Sequence, residues 1–300
     1  MYMFKIGICG IGKMGSEITK RLLECNQTIS VWNRTIGKTK ELEKIGAKVT
    51  DEVKELINIS DIIIIIMGDD NALDYIYNSP EGLKNINLNN KIIVEMSTTS
   101  ISKIKSLEKI VIASNGEFVE CPVGGSTQPA REGKLLGLIG GKYEVFKKLE
   151  GLLKLICRRY EYLGVVGKGS AMKLAINLPL MVYWQSLGEA LAITTNNGID
   201  FDKALNIMMD SSGAAKIAHL KTKSISDAME NIHNIKSSFN VSSSLKDMEL
   251  MIEEIKKLNK EFHVINGATK YVAEAAKEGW SDCDASLLSV YINKKLNNYL

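Results

Sequence analysis

Lys5-Ile-Gly-Ile-Cys9, followed at once by Gly10-Ile11-Gly12-Lys13-Met14-Gly15, is the stretch that decides the fold. Its first five residues read as a short strand. From Gly15 to Glu24 the apolar residues Ile18, Leu22 and Leu23 fall on one side of a helix. A GxGxxG set between a strand and a helix has a physical reason for each glycine. The first permits the tight turn, the second lets the backbone approach a pyrophosphate, and the third lets helix and strand pack closely. The helix N-terminus favours the negative charge of that ligand. An incidental glycine turn leaves the crowding of three glycines unexplained.

Working outward, Thr28–Trp32, Ile62–Met67, Lys91–Glu95, Glu117–Glu120 and Leu135–Ile139 read as further strands separated by helical stretches. The Ile62–Met67 run is continuously apolar, as a strand buried on both faces of a parallel sheet should be. The pattern predicts an α/β Rossmann domain, a doubly wound parallel sheet, over residues 1–163. Beyond Gly167 the β runs cease, and apolar residues recur at helical spacing in Ala171–Thr195, Leu245–Leu258, Ala268–Ala276 and Ala285–Leu296. Residues 164–300 are therefore expected to form a second, all-helical domain for substrate and dimerisation, sharing a broad interface with the first. Pro179 is expected to kink the first long helix or end it early.

Composition closes off other classes. With 300 residues, 45% hydrophobic content and a net charge of +3, the chain can bury a core and is not disordered. Residues through 160 carry 23 basic and 19 acidic side chains and the remainder 15 and 16, so neither part has a nucleic-acid footprint. No apolar run approaches the ~20 residues of a membrane span. The start, Met1-Tyr-Met-Phe-Lys-Ile-Gly-Ile, reads as no signal peptide. Five dispersed cysteines without CxxC, and three scattered histidines, His219, His233 and His263, give no metal-ligand spacing. They fit a reduced, cytoplasmic protein.

About 20 residues past the glycine loop, the end of the second strand normally carries an acid for the ribose of NAD. Here Asn33-Arg34-Thr35 stands in its place. Arginine can pair with a 2′-phosphate through two parallel hydrogen bonds and stack on adenine, which points to NADP (NADPH) as cofactor.

The glycine loop, Asn33-Arg34-Thr35, Glu95-Met-Ser-Thr98, Cys121-Pro-Val-Gly-Gly-Ser126, Gly167-Lys-Gly-Ser-Ala-Met-Lys173-Leu-Ala-Ile-Asn177 and Lys246-Asp247 occur in this order. Over nearly the whole chain this resembles the β-hydroxyacid dehydrogenase family, to which 3-hydroxyisobutyrate dehydrogenase belongs. The continuation Thr127-Gln-Pro-Ala-Arg-Glu-Gly-Lys-Leu135 looks most like its glyoxylate/succinic semialdehyde reductase branch. The resemblance implies Lys173 as the catalytic proton donor, with Asn177 one turn later on the same helix face. Cofactor contacts are implied for Gly10 to Gly15, Asn33 to Thr35, Met67, Gly68, Thr98 and Lys246. Gly124, Gly125 and Ser126, with Lys173 and Asn177, are implied for the substrate; Gly124 replaces a serine common among relatives. Arg131, Trp184 and Trp280 are further candidates to shape the pocket, and Asp284 is read as a cap of the last helix.

The function these features point to is NADPH-dependent reduction of small semialdehydes or 2-oxo acids by a homo-dimer or homo-tetramer, without nucleic acid, membrane or metal. Two alternatives stand beside it. One is 3-hydroxyisobutyrate or another β-hydroxyacid oxidised in the reverse direction; the other is a non-catalytic dinucleotide-binding sensor or interaction module. Replacing Arg34 tests the cofactor reading. Arg34→Ala is expected to lower the ratio of NADPH to NADH affinity by about tenfold or more in parallel fluorescence titrations. An unchanged ratio would remove Arg34 from that role.

Overall fold

A computed structural model describes residues 4–232, 235–260 and 262–298. Residues 1–3 and His233, used in the reading above, lie outside the described residues. The chain divides into two compact units, Met1–Lys173 and Leu174–Leu300.

The first unit alternates strands and helices in the order β1 (Lys5–Cys9), α1 (Lys13–Glu24), β2 (Thr28–Trp32), α2 (Lys40–Lys44), β3 (Lys48–Val49), α3 (Val53–Ile59), β4 (Ile62–Ile65) and α4 (Asp70–Asn78). It continues through β5 (Ile92–Glu95), α5 (Ile101–Ala113), β6 (Glu117–Glu120), β7 (Val123–Gly124), α6 (Thr127–Arg131), β8 (Leu135–Gly141), α7 (Tyr143–Ile156) and β9 (Cys157–Gly164) to the start of α8 (Lys168–Asn196). Among the described residues these nine strands form one sheet. The order β3-β2-β1-β4-β5-β6 is parallel throughout, β8 runs antiparallel to β6 and β7, and β9 pairs parallel to β8. This is the doubly wound Rossmann arrangement, with the chain reversal falling between β1 and β4.

Period-two alternation explains why both faces are covered. Ile6, Ile8, Ile62, Ile64, Val94 and Val119 join one core with α1 and α7. The residues between them, Cys9, Ile63, Ile65, Ile93 and Phe118, join another with α3, α4 and α5. Each such aliphatic side chain, fully withdrawn from water, contributes about 1.5–3 kcal/mol. The outer strand β9 exposes Arg158, Arg159 and Glu161, the charged dressing that discourages edge-to-edge pairing. β3 and β7, two residues each, are too short to carry a strand periodicity and escape sequence reading.

In the second unit α8 continues and is followed by α9 (Phe201–Met209), α10 (Lys216–His219), α11 (Thr222–Asp227), α12 (Val241–Lys256), α13 (His263–Ala275) and α14 (Leu288–Leu296). Met181, Trp184, Leu191, Leu205, Met248, Val272 and Leu288 are among its core residues. Asp200 and Asn240 cap α9 and α12 by accepting from Lys203 N at 2.9 Å and Ser243 N at 3.1 Å. The α9, α10 and α11 helices lie outside the periodic stretches picked out from sequence. Pro179 does not end α8 early: the helix runs through it. The hydrogen bond that proline cannot make would have gone to the carbonyl of Ala175, and both residues are exposed to solvent.

Asp284 does more than cap. One carboxylate oxygen accepts from Ser286 N at 3.2 Å, at the start of the 3₁₀ turn Ala285–Leu287 that leads into α14. The other accepts from Lys221 Nζ and Ser238 N, both at 2.9 Å. Burial pushes its pKa up, but the Lys221 ammonium and these donors win, holding it below the ordinary 3.8. The stabilisation is therefore complete above pH about 4 and lost as pH falls through the depressed folded value. Asp284→Ala is expected to cost about 3 kcal/mol in urea unfolding at pH 7. The difference from wild type should shrink below pH 4.

Candidate active site

The glycine turn is built by close backbone approach. Gly10 has φ +103°, and a Cβ there would lie 2.2 Å from the Ile66 carbonyl oxygen. A Cβ at Gly15 would lie 2.0 Å from the Gly10 carbonyl oxygen, so these two glycines are demanded by the fold itself. Gly12 is different. It is exposed, and a Cβ there would meet no protein atom within 4 Å. The N-terminus of α1 has no side-chain cap and no acid in its first turn. Open space over an uncapped helix N-terminus fits a pyrophosphate. Lys13 is exposed there and Met14 is half-buried against the first core.

Asn33 serves this turn directly. Its Oδ1 accepts from Ile11 N at 3.0 Å, and its Nδ2 donates to the Thr35 carbonyl at 2.9 Å. The amide thus splints the glycine loop to the end of β2, a positioning contact that the cofactor reading of Asn33 did not contain. Arg34 and Thr35 follow on the exposed surface.

At the neighbouring strand ends, half-buried Met67 donates its N–H to Ser97 Oγ at 2.8 Å, and Gly68 is exposed beyond it. Ser97 N donates in turn to Glu95 Oε1 at 2.9 Å, and the Tyr77 hydroxyl donates to Oε2 at 2.8 Å. Burial raises the Glu95 carboxyl to about 7, against the lowering effect of the Ser97 and Tyr77 hydrogen bonds. Thr98, next along, is half-buried, while Thr99 donates to Asp70 Oδ1 at 2.8 Å.

Gly124, Gly125 and half-buried Ser126 lead from β7 into α6, with Gly125 at φ +126°. Arg131 does not shape a pocket with them. It forms ion pairs with Glu24 and Glu17 and ties α6 to α1. Trp184 and Trp280 are likewise buried in the second core. Burial drives the Cys121 thiol well above its ordinary value, which removes it as a nucleophile.

Lys173 is half-buried on the second turn of α8. Sequence reading passed over the group that receives this helix, Glu120, at the end of β6. Its Oε1 accepts from Gly167 N at 2.5 Å and Gly169 N at 2.9 Å, and its Oε2 from Ser170 N at 3.1 Å and the Ser170 hydroxyl. Glu120 stands at the end of the predicted strand Glu117–Glu120, and nothing there announces a partner some 50 positions away.

In the second unit, buried Asp247 gathers two candidate residues. Asn177 Nδ2 donates to its Oδ2 at 3.1 Å, and Lys246 Nζ lies 3.4 Å from its Oδ1. The structure thus brings Asn177 and Lys246 onto one carboxylate, which sequence reading had noted only as the neighbour of Lys246.

Residues 5–164 match the model of the NAD-binding domain of 6-phosphogluconate dehydrogenase, and residues 167–291 that of the NAD-binding domain of NADP-dependent 3-hydroxyisobutyrate dehydrogenase. The chain belongs to the β-hydroxyacid dehydrogenase family. Glyoxylate/succinic semialdehyde reductase 1 of Arabidopsis thaliana is 30% identical over 68% of this chain and 71% of its own length. The cytokine-like nuclear factor N-PAC of Drosophila melanogaster is 28% identical over 95% of this chain; the chain spans only 46% of that relative. Among solved structures, 3-hydroxyisobutyrate dehydrogenase of Salmonella typhimurium superposes with a TM-score of 0.86 at 19% identity, covering 96% of this chain and 99% of that one. β-Hydroxyacid dehydrogenases are oxidoreductases, and the first unit carries their nicotinamide dinucleotide-binding fold. No helix of the described residues is long and apolar enough to cross a membrane.

The two kinds of glycine in the turn separate by substitution. Gly12→Ala is expected to keep the wild-type melting temperature and lose dinucleotide affinity by about tenfold or more, or ~1.4 kcal/mol. Gly15→Ala, forced against the Gly10 carbonyl, should instead unfold the first unit at a lower temperature. Calorimetry with and without NADPH distinguishes them.

Proposed function

We propose that this β-hydroxyacid dehydrogenase is an NADPH-dependent reductase of small semialdehydes or 2-oxo acids, glyoxylate and succinic semialdehyde among them. The observation that carries the reading is Lys173, held on the first turns of α8 in the dinucleotide-binding unit, with Asn177 one turn further along and anchored on Asp247. A reduced dinucleotide held by its pyrophosphate at the glycine turn would supply hydride from its nicotinamide to the substrate carbonyl. Lys173 then gives its ammonium proton to the oxygen as negative charge develops there, and takes a hydroxyl proton in the reverse direction. Asn177, its amide oriented by the Asp247 carboxylate, holds the substrate oxygen or the lysine in line. Gly125 and Ser126 offer backbone N–H groups and one hydroxyl to a substrate carboxylate beside Gly124, whose own N–H lies in the β7–β8 ladder and which has no side chain to make a second hydroxyl contact. Exposed Arg34, where an acid would favour NAD, supports NADPH. The likeness to a glyoxylate/succinic semialdehyde reductase supports the substrate class.

The likeness to cytokine-like nuclear factor N-PAC, a name that states no reaction, favours a second, non-catalytic reading. One set of measurements separates the two. NADPH oxidation is followed with glyoxylate, succinic semialdehyde, tartronate semialdehyde and methylmalonate semialdehyde. Turnover is expected, and Lys173→Ala should lower kcat by about 10²–10⁴-fold while changing NADPH affinity less than about twofold. Tight NADPH binding without turnover on any of them would establish the non-catalytic alternative.

A further inference from the structure

Every α-helix leaves the N–H groups of its first turn without an intrahelical partner. In α8 they are all accounted for, and by an unusual donor–acceptor plan. Lys168 N donates to the Val165 carbonyl at 3.3 Å, and Ala171 N begins the regular ladder on the Gly167 carbonyl at 3.0 Å. The remaining three, at Gly167, Gly169 and Ser170, all go to Glu120, a residue of the sheet 47 to 50 positions earlier. With the Ser170 hydroxyl as fourth donor, both carboxylate oxygens accept twice, the full acceptor capacity of the group. Glu120 has no exposed surface, so water has no part in this arrangement.

The backbone around the carboxylate is shaped to admit it. A Cβ at Gly140 would sit 2.2 Å from Glu120 Oε1, and a Cβ at Gly169 would sit 2.5 Å from the Leu138 carbonyl and 3.1 Å from Glu120 Cδ. Glycine at 140 leaves room for the carboxylate, and glycine at 169 lets the helix come down onto it. A negative charge at a helix N-terminus is also the favourable sign for the helix dipole. Burial raises the neighbouring Glu108 carboxyl, and the nearby Glu120 carboxylate adds to that.

We propose that Glu120 is the positioning residue for Lys173: its carboxylate seats the first turn of α8 on the sheet, and that turn sets where the lysine is carried. Lys173 follows Gly169 by four residues and Ser170 by three, so it stands one turn beyond the anchored N–H groups and on their side of the helix. A misplacement of about 1 Å at a reacting group costs about 10²-fold in rate, which gives the anchor its catalytic weight. The inference rests on Lys173 being the proton donor.

The test uses the full chain with Glu120→Gln, Lys173→Ala and their combination. The glutamine amide nitrogen cannot accept, so on this side the Ser170 N–H loses its acceptor, while the Ser170 hydroxyl can turn to accept from the amide. Amide hydrogen exchange of the 165–172 segment is expected to quicken by about tenfold or more, with strands β5 and β6 as protected as in wild type. With succinic semialdehyde, kcat should fall about 10–100-fold, while KM and NADPH affinity change less than about threefold. In the Lys173→Ala background, Glu120→Gln should add no further loss, because it acts through the lysine. Wild-type exchange and kcat in Glu120→Gln, or a full additional loss in the double variant, would overturn the proposal. An active Lys173→Ala variant beside quickened exchange in Glu120→Gln would instead overturn the proton-donor reading and leave the anchor standing. Should Glu120→Gln not fold, Ser170→Ala removes one contact and buries no charge. It is expected to give the same pattern at about threefold amplitude, and wild-type exchange there would equally overturn the anchor.

Discussion

The first turn of the chain depends on a clearance of one missing methyl group. Because Gly15 has no Cβ, α1 can start directly against the Gly10 carbonyl, and because Gly10 adopts φ +103°, the chain can turn beside the Ile66 carbonyl. That approach fixes the ends of β1 and β4 side by side at the point where the winding of the sheet reverses. Much of the candidate site hangs on this arrangement. Asn33 reaches the loop from β2, and Met67 leaves β4 to donate to Ser97, which in turn binds Glu95. Of the three glycines in the turn, Gly12 is the one where a Cβ would meet no protein atom.

The adjacent strands β5 and β6 end in two buried carboxyls, Glu95 and Glu120, aligned in register. Burial asks the same of both: donors enough to replace water. Glu95 receives the N–H of Ser97 and the hydroxyl of Tyr77, and burial outweighs these, leaving its carboxyl at about 7. Glu120 receives three backbone N–H groups and a hydroxyl from the start of a helix. Identical side chains at equivalent strand positions thus do different work, one joining the end of its own strand to Tyr77 of α4 and the other receiving α8. The difference comes from what the rest of the chain brings to each.

Much of the first unit was legible in the residues. The isoleucines of β4 announce a strand buried on both faces, and β1, β2 and β6 were bounded to the residue by their own alternation and flanking turns. The long helix through Lys173 and Asn177 was legible too, although Pro179 argued for a shorter one. Helix continuity there depends on the exposure of Ala175 and Pro179, a tertiary fact. Arg131, Trp184 and Trp280 looked like pocket residues by type. An arginine facing two acids of α1 and two tryptophans withdrawn into a helical core are assignments that only packing makes.

What the sequence determined by itself is what short-range physics encodes: side-chain periodicity, the φ demands of glycine turns, helix caps three residues away, and the order of chemical motifs along the chain. These suffice for the Rossmann unit, the helical unit and the candidates Arg34 and Gly12, whereas Lys173 and Asn177 were implied by the resemblance to a family. Only the tertiary structure decided which distant groups hold them. Asn33 meets Ile11 across 22 positions, Asp247 meets Asn177 across 70, and Asp284 meets Lys221 across 63. Such pairs leave no periodic trace, because a buried polar group needs a donor or acceptor of the right kind at about 3 Å and is indifferent to where along the chain it comes from.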